Sequence, residues 1–122
     1  EEMTESMENQ KDSGNEMVTE EEQASVAFQI IAATGTARSY YISAIDKASE
    51  GEFEEAEELI DQGKEVFNEG HTAHMTLLQK FANGQFPSAS IIMVHAEDQL
   101  MSAEQFEILA EKFIMLYRGL KK

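Results

Sequence analysis

The chain has 122 residues, 24 acids against 9 Lys and Arg for a formal net charge of −15, and no cysteine. That length supports one domain with a modest core, and the charge argues against nucleic acid or an anionic membrane surface as a partner, because neutralising phosphates takes clustered Lys and Arg. The missing cysteine excludes disulfides, thiolate metal sites and thiol nucleophiles and fits a reducing compartment, so a cytoplasmic location is expected. No apolar run approaches the roughly 20 residues of a spanning helix, and no basic-then-apolar opening resembles a signal peptide, so direct membrane insertion is not expected.

Residues 1–18 lack hydrophobic period and are rich in Glu, Ser, Asn, Gln and Gly, with Lys11 as the one basic residue. This is the composition of a solvated, disordered acidic tail. Order is expected from Thr19, where "TEEE" offers a capping box: Thr19 as cap, Glu22 three residues on, and acids in the first turn. Apolar or small residues then recur at Ala27, Ile30, Thr34, Ala37, Tyr41, Ala44 and Ala48, which is helical spacing. Gly51 stops this helix with a left-handed cap.

A second helix follows over about residues 52–83, with its stripe at Phe53, Ala56, Ile60, Gly63, Phe67, Gly70, His74, Leu77 and Phe81. "NGQFPS" is the clearest break in the chain: Asn83-Gly84 ends one helix, and Pro87 with Ser88 or Ser90 opens the next. The third helix is expected over about 88–120, through Leu100, Phe106, Leu109, Phe113, Leu116 and Leu120. Nothing alternates with period two, so no strand is expected. Three helices of about 45 Å each at 1.5 Å per residue, joined by short loops, make an all-α antiparallel three-helix bundle. The apolar faces of the first and third helices are wider than one seam needs, which predicts self-association. Gly35, Gly63 and Gly70 fall inside helices, where each costs up to about 1 kcal/mol against Ala; close helix approach is the expected compensation.

The candidate chemistry lies with three histidines, His71, His74 and His95. His71 and His74 make an H-x-x-H pair without the glutamate or the four-residue spacing of a zincin helix. A di-iron bundle needs E-x-x-H on two helices, but Asn68, His71 and Ile92 stand three residues before the histidines. On the third helix His95, Asp98, Gln99 and Ser102 form a polar strip of neighbours. Folding the second and third helices about a turn near residue 86 sets His74 opposite Gln99. The strip admits three readings: an ordinary surface or interface pair, half a metal site, or a reactive imidazole. No serine stands in a nucleophile elbow, and "GTARS" lacks the second glycine and the lysine of a P-loop. Neutral imidazole is itself a nucleophile near pH 7, its ordinary pKa being about 6.5. Asp98, one turn away, would repel a phosphoryl group on His95 unless it points into a subunit interface or a cation compensates it.

"VHAEDQLM" (Val94 to Met101) closely resembles the active-site segment of the enzyme IIA components of the lactose/cellobiose (also diacetylchitobiose) family of the bacterial phosphoenolpyruvate-dependent sugar phosphotransferase system. "GTARS" (Gly35 to Ser39), "GEFEEA" (Gly51 to Ala56) and "NEGH" (Asn68 to His71) are further landmarks, and the resemblance runs in order from about residue 19 to the end. It implies a three-helix IIA domain over 19–122, assembled as a homotrimer. It also implies that His95 accepts a phosphoryl group from HPr and passes it to the cysteine of the cognate IIB component, which serves the membrane IIC transporter during uptake of a β-linked disaccharide. Asp98 matches the acid that gathers at the trimer axis and binds a divalent cation, Mg²⁺ being the expected one. Glu69, His71, His74 and Gln99 are the candidate supporting residues. Family members commonly read His-Ala/Gly-Gln-Asp-His, and many carry Gln where His74 stands; Glu97 and Gln99 depart from that pattern. The apparent exchange suggests a His74–Gln99 hydrogen bond between helices with its partners swapped. The competing expectation is a non-catalytic helical oligomer or regulatory adaptor that keeps the IIA fold but has lost transfer.

Overall fold

The computed structural model describes residues 17–85 and 90–121. Three helices of equal length make up the protomer: α1 (Glu20–Ser49), α2 (Phe53–Ala82) and α3 (Ile91–Leu120). The chain runs up, down and up, and no helix is long and apolar enough to cross a membrane among the described residues. The acidic tail expected over 1–18 lies outside the described residues up to position 16. Its last residue is not solvated, because Val18 is buried and its N–H donates to the Gln85 carbonyl at 2.7 Å.

Local chemistry sets each helix end. Thr19 is the extended N-cap of α1, and its hydroxyl accepts from the Glu22 N–H at 3.1 Å, with Glu20, Glu21 and Glu22 in the first turn. At the other end Gly51 takes φ +83°, and the Glu52 N–H folds back onto the Lys47 carbonyl. Gly84 repeats the arrangement after α2, with φ +73° and the Gln85 N–H on the Lys80 carbonyl. Both are Schellman closures, which need a residue free to adopt the left-handed region. The third helix begins later than the expected residue 88. Ser90 is its cap, extended at φ −81° and ψ 160°, and accepts from the Met93 N–H at 3.2 Å. Of the two serines on offer the second wins because its hydroxyl reaches an N–H of the first turn. Pro87 and Ser88 lie outside the described residues.

α1 is the central element: it packs along both other helices, while α2 and α3 touch each other least. Its buried line of Ala27, Ile30, Ala33, Thr34, Ala37, Tyr41, Ala44 and Ala48 is mostly small, which lets the backbones approach. The core divides into two clusters, one around Tyr41, Ile60 and Ile114 and one around Ile30, Leu77, Met93 and Leu100. Two of the helix glycines serve close approach. A Cβ on Gly63 would stand 2.5 Å from a Tyr41 ring carbon, and one on Gly70 would stand 3.3 Å from the Ala33 Cβ. Gly35 differs: nothing lies within 4 Å of the position its Cβ would take, so within the protomer the expected compensation is missing there.

One face of α3 takes no part in this packing. Ile91, Val94, Asp98, Met101, Gln105, Ile108, Lys112 and Met115 are all exposed, and they follow one another in alternating steps of three and four. Ile91 is 90 % exposed. A repeat of this kind has the spacing of a coiled-coil seam.

Candidate functional site

The polar strip predicted on the third helix exists, but its members face different neighbours. His95 sits in the second turn of α3 and is exposed, as is Asp98; Glu97 and Gln99 are half-buried. Glu97 turns towards α2, where its Oε1 lies 3.1 Å from His74 Nε2. Gln99 turns towards α1, where its Oε1 accepts from Arg38 Nη1 at 2.6 Å, and the same nitrogen reaches Ser102 Oγ at 3.4 Å. The expected His74–Gln99 hydrogen bond is therefore corrected. His74 is bonded to Glu97, and Gln99 belongs to the α1 side of the helix. The two residues are 200° apart around a helix of 3.6 residues per turn, so they cannot share a partner.

This arrangement alters the meaning of Glu97. Its acidity stands two residues from His95, but the carboxylate is directed to the opposite flank and held by an imidazole with only 14 % of its side-chain surface exposed. His95, Gln99 and Ser102 form a continuous ridge at i, i+4 and i+7, with Arg38 of α1 laid against its lower part.

The other candidates occupy separate places. His71 stacks on Phe67 with ring centroids 6.1 Å apart, and its Nδ1 is buried without a hydrogen-bond partner among the described residues. Glu69 is exposed and lines a shallow groove with Gln29, Ala33, Thr36 and Val66 between α1 and α2, away from α3. Within one protomer Glu69 is therefore not brought to His95. Among the described residues no three His, Asp or Glu side chains converge on a possible metal position. Asp98 supplies one exposed carboxylate on the α3 seam. Its hard oxygen donors suit a cation such as Mg²⁺, but one carboxylate by itself is not a site.

Sequence reasoning missed Arg38, which it read only within "GTARS". The signal was there: a guanidinium in a row otherwise apolar or small must find acceptors across the helix interface. Its long stem also leans towards the amino end of its own helix, as helical side chains do.

The profile described as "PTS system, Lactose/Cellobiose specific IIA subunit" matches residues 25–118. The chain is similar to the lactose-specific EIIA component of the phosphotransferase system from Lacticaseibacillus casei, with 32 % identity over 87 % of this chain and 95 % of that protein. Its fold is similar to the cellobiose-specific enzyme IIA of Bacillus anthracis, with a TM-score of 0.78, 38 % identity, and coverage of 86 % of this chain and 94 % of that one. It is also similar to a chain in the complex of chitobiose IIA with HPr from the Escherichia coli phosphotransferase system, with a TM-score of 0.73, 30 % identity, and coverage of 83 % and 98 %. Profile, sequence and fold agree over the segment that carries all three helices: the chain belongs to the lactose/cellobiose-specific IIA family and is an EIIA phosphocarrier of the phosphotransferase system.

Proposed function

We propose that this protein receives a phosphoryl group from HPr on His95 and delivers it to the cysteine of a cognate IIB component. The sugar served is a β-linked disaccharide of the lactose, cellobiose or diacetylchitobiose type, all three of which occur among the names of its relatives. The observation that carries this reading is that His95 alone of the three histidines is exposed, whereas His74 is held by Glu97 and His71 is stacked on Phe67. The E. coli chitobiose IIA, which shares this fold, forms a complex with HPr, and Phe28 near the start of α1 and Phe81 at the end of α2, both exposed and outside the α3 seam, give the His95 end of the bundle apolar surface suited to a protein donor.

No general base is needed. A neutral imidazole nitrogen of His95 attacks phosphorus with its lone pair, and the P–N bond of the donor phosphohistidine breaks, with its electron pair returning to the donor ring. Each ring keeps the proton on its distal nitrogen, so charge and protons balance. Transfer to IIB repeats the displacement with a thiolate as nucleophile.

The active form is a homotrimer built on the exposed α3 seam, with the three Asp98 side chains near the axis. Three adjacent carboxylates cannot all ionise cheaply without a counter-charge, and a divalent cation, Mg²⁺ by the hardness of its oxygen donors, would supply one there. The test of the carrier reading is direct. Incubated with phosphoenolpyruvate, enzyme I and HPr, the protein is expected to gain one acid-labile phosphate per chain, and His95→Gln none. If both stay unlabelled, the chain is an adaptor with the IIA fold rather than a carrier.

A further inference from the structure

A phosphorylated His95 would place roughly two negative charges one helical turn from Asp98, in a chain whose net charge is already −15. The helix dipole offers little relief, because it falls off within the first turn and His95 stands in the second. A nearby cation is needed, and α1 supplies one.

Arg38 is unusual in this protein. The other arginine, Arg118, pairs with the Glu57 carboxylate at 2.6 Å. Arg38 is half-buried, yet no carboxylate among the described residues lies within ion-pair distance of it; its partners are the neutral acceptors Gln99 and Ser102. Both contacts use Nη1, so the guanidinium is anchored at one corner while Nε and Nη2 make no hydrogen bond among the described residues. Those anchors share a ridge of α3 with His95. Residues four apart on a helix have Cβ atoms roughly 6 Å apart, and a guanidinium and a phosphohistidine each extend several ångströms from the backbone. Anchored at Gln99, one turn beyond His95, the guanidinium stands on the stretch of ridge that a phosphoryl group on His95 would share. A planar fork with N–H groups to spare is the side chain best matched to phosphoryl oxygens.

We infer that Arg38 is a phosphoryl-binding residue: held by Gln99 and Ser102 on the His95 ridge, it donates its free N–H groups to the phosphoryl oxygens carried by His95. In the unphosphorylated protein no carboxylate among the described residues pairs with it, which keeps the position attractive to an incoming phosphoryl group. The inference rests on His95 as acceptor, but a loss of Arg38 alone leaves that reading intact.

The test compares wild type, Arg38→Gln and Arg38→Lys, each loaded from HPr and, separately, from phosphoramidate, a small donor that needs no docking surface. Three quantities are read: the equilibrium phosphorylated fraction, the hydrolysis rate of the phosphoprotein, and its ³¹P chemical shift. For Arg38→Gln the transfer equilibrium with HPr is expected to fall by roughly tenfold, the size of one charge-assisted hydrogen bond. Hydrolysis should quicken and the ³¹P resonance should move with either donor, while Arg38→Lys recovers part of each change. A purely structural clip would lower the melting temperature and leave the ³¹P shift of the labelled fraction where it is in wild type; that result overturns the inference. Should Arg38→Gln fail to fold, Arg38→Lys decides: a point charge in place of a fork must still move the resonance, and an unchanged spectrum overturns the inference. Wild type that accepts no phosphate from either donor overturns the carrier reading and this one together, whereas labelled wild type with an indifferent Arg38 overturns this one only.

Discussion

Among the described residues Tyr41 is the largest side chain fully enclosed, and its hydroxyl has no hydrogen-bond partner there. Burial, reinforced by the neighbouring Glu107 and Glu111 charges, pushes that hydroxyl well above the usual tyrosine range. Above pH about 10 an unfolded tyrosine releases its proton while the folded one retains it. The unfolded state then binds fewer protons, and stability falls as pH rises. Tyr41→Phe removes both penalties. It is expected to stabilise the protein by about 1 kcal/mol at neutral pH, the cost of an unsatisfied buried hydroxyl, and to flatten the alkaline loss; urea unfolding at pH 7 and pH 10.5 checks both, and destabilisation at pH 7 would mean the hydroxyl has a partner in the assembled protein. Single residues are also where sequence reading was least able to see. Tyr41 was legible as core from its spacing, but not its orphan hydroxyl. Likewise the His74–Glu97 and Arg38–Gln99 contacts depend on a register of one or two residues and on the lean of side chains, neither of which hairpin counting resolves.

At the scale of elements the helices were largely legible, because apolar recurrence, threonine and serine caps and two glycines with positive φ all act locally. The α2/α3 turn was the weaker part, since two serines compete for one cap and only geometry selects Ser90. The tightest crossing is between α1 and α2, where Tyr41 lies across Gly63. Gly63→Ala is expected to destabilise by about 1–2 kcal/mol: overpacking of about 1–3 kcal/mol outweighs up to about 1 kcal/mol of helix propensity regained. The buried ring cannot swing away, as it is 0 % exposed. Gly35→Ala is the control, with open space and the same propensity gain, and should stabilise the isolated protomer by about 0.5–1 kcal/mol. Equal effects in denaturant titrations would contradict the crossing described. Among the ion pairs that bridge α2 and α3, Lys64–Glu111 and Glu57–Arg118 are about half exposed and contribute little; the small residues of α1 hold the bundle.

For the whole molecule, the exposed α3 seam dominates. Its apolar positions Ile91, Val94, Met101, Ile108 and Met115 are interrupted by Asp98, Gln105 and Lys112, so a symmetric assembly would bring like polar groups together at several levels. Such positions fix register and copy number at a cost in stability. In the proposed trimer Asp98 carries the largest cost. Asp98→Leu is expected to remain trimeric in EDTA, where wild type dissociates to a measurable degree by sedimentation velocity. A variant that is wholly monomeric at high protein concentration would rule out an axial acid cluster.

The bundle also has two chemically distinct ends. At one, the Val18 N–H donates to the Gln85 carbonyl and the Ser90 N–H to Gln23 Oε1, while at the other Lys121 Nζ sits 5.3 Å above the Phe53 ring. Residues 95 and 121 are separated by about 40 Å of helix at 1.5 Å per residue. Because the sequence contains no cysteine, a single thiol introduced at exposed Glu50 would be the sole site for maleimide labelling. A fluorophore or surface tether placed there stands clear of any protein docked at His95, which makes the far end the natural anchor for following partner exchange in real time.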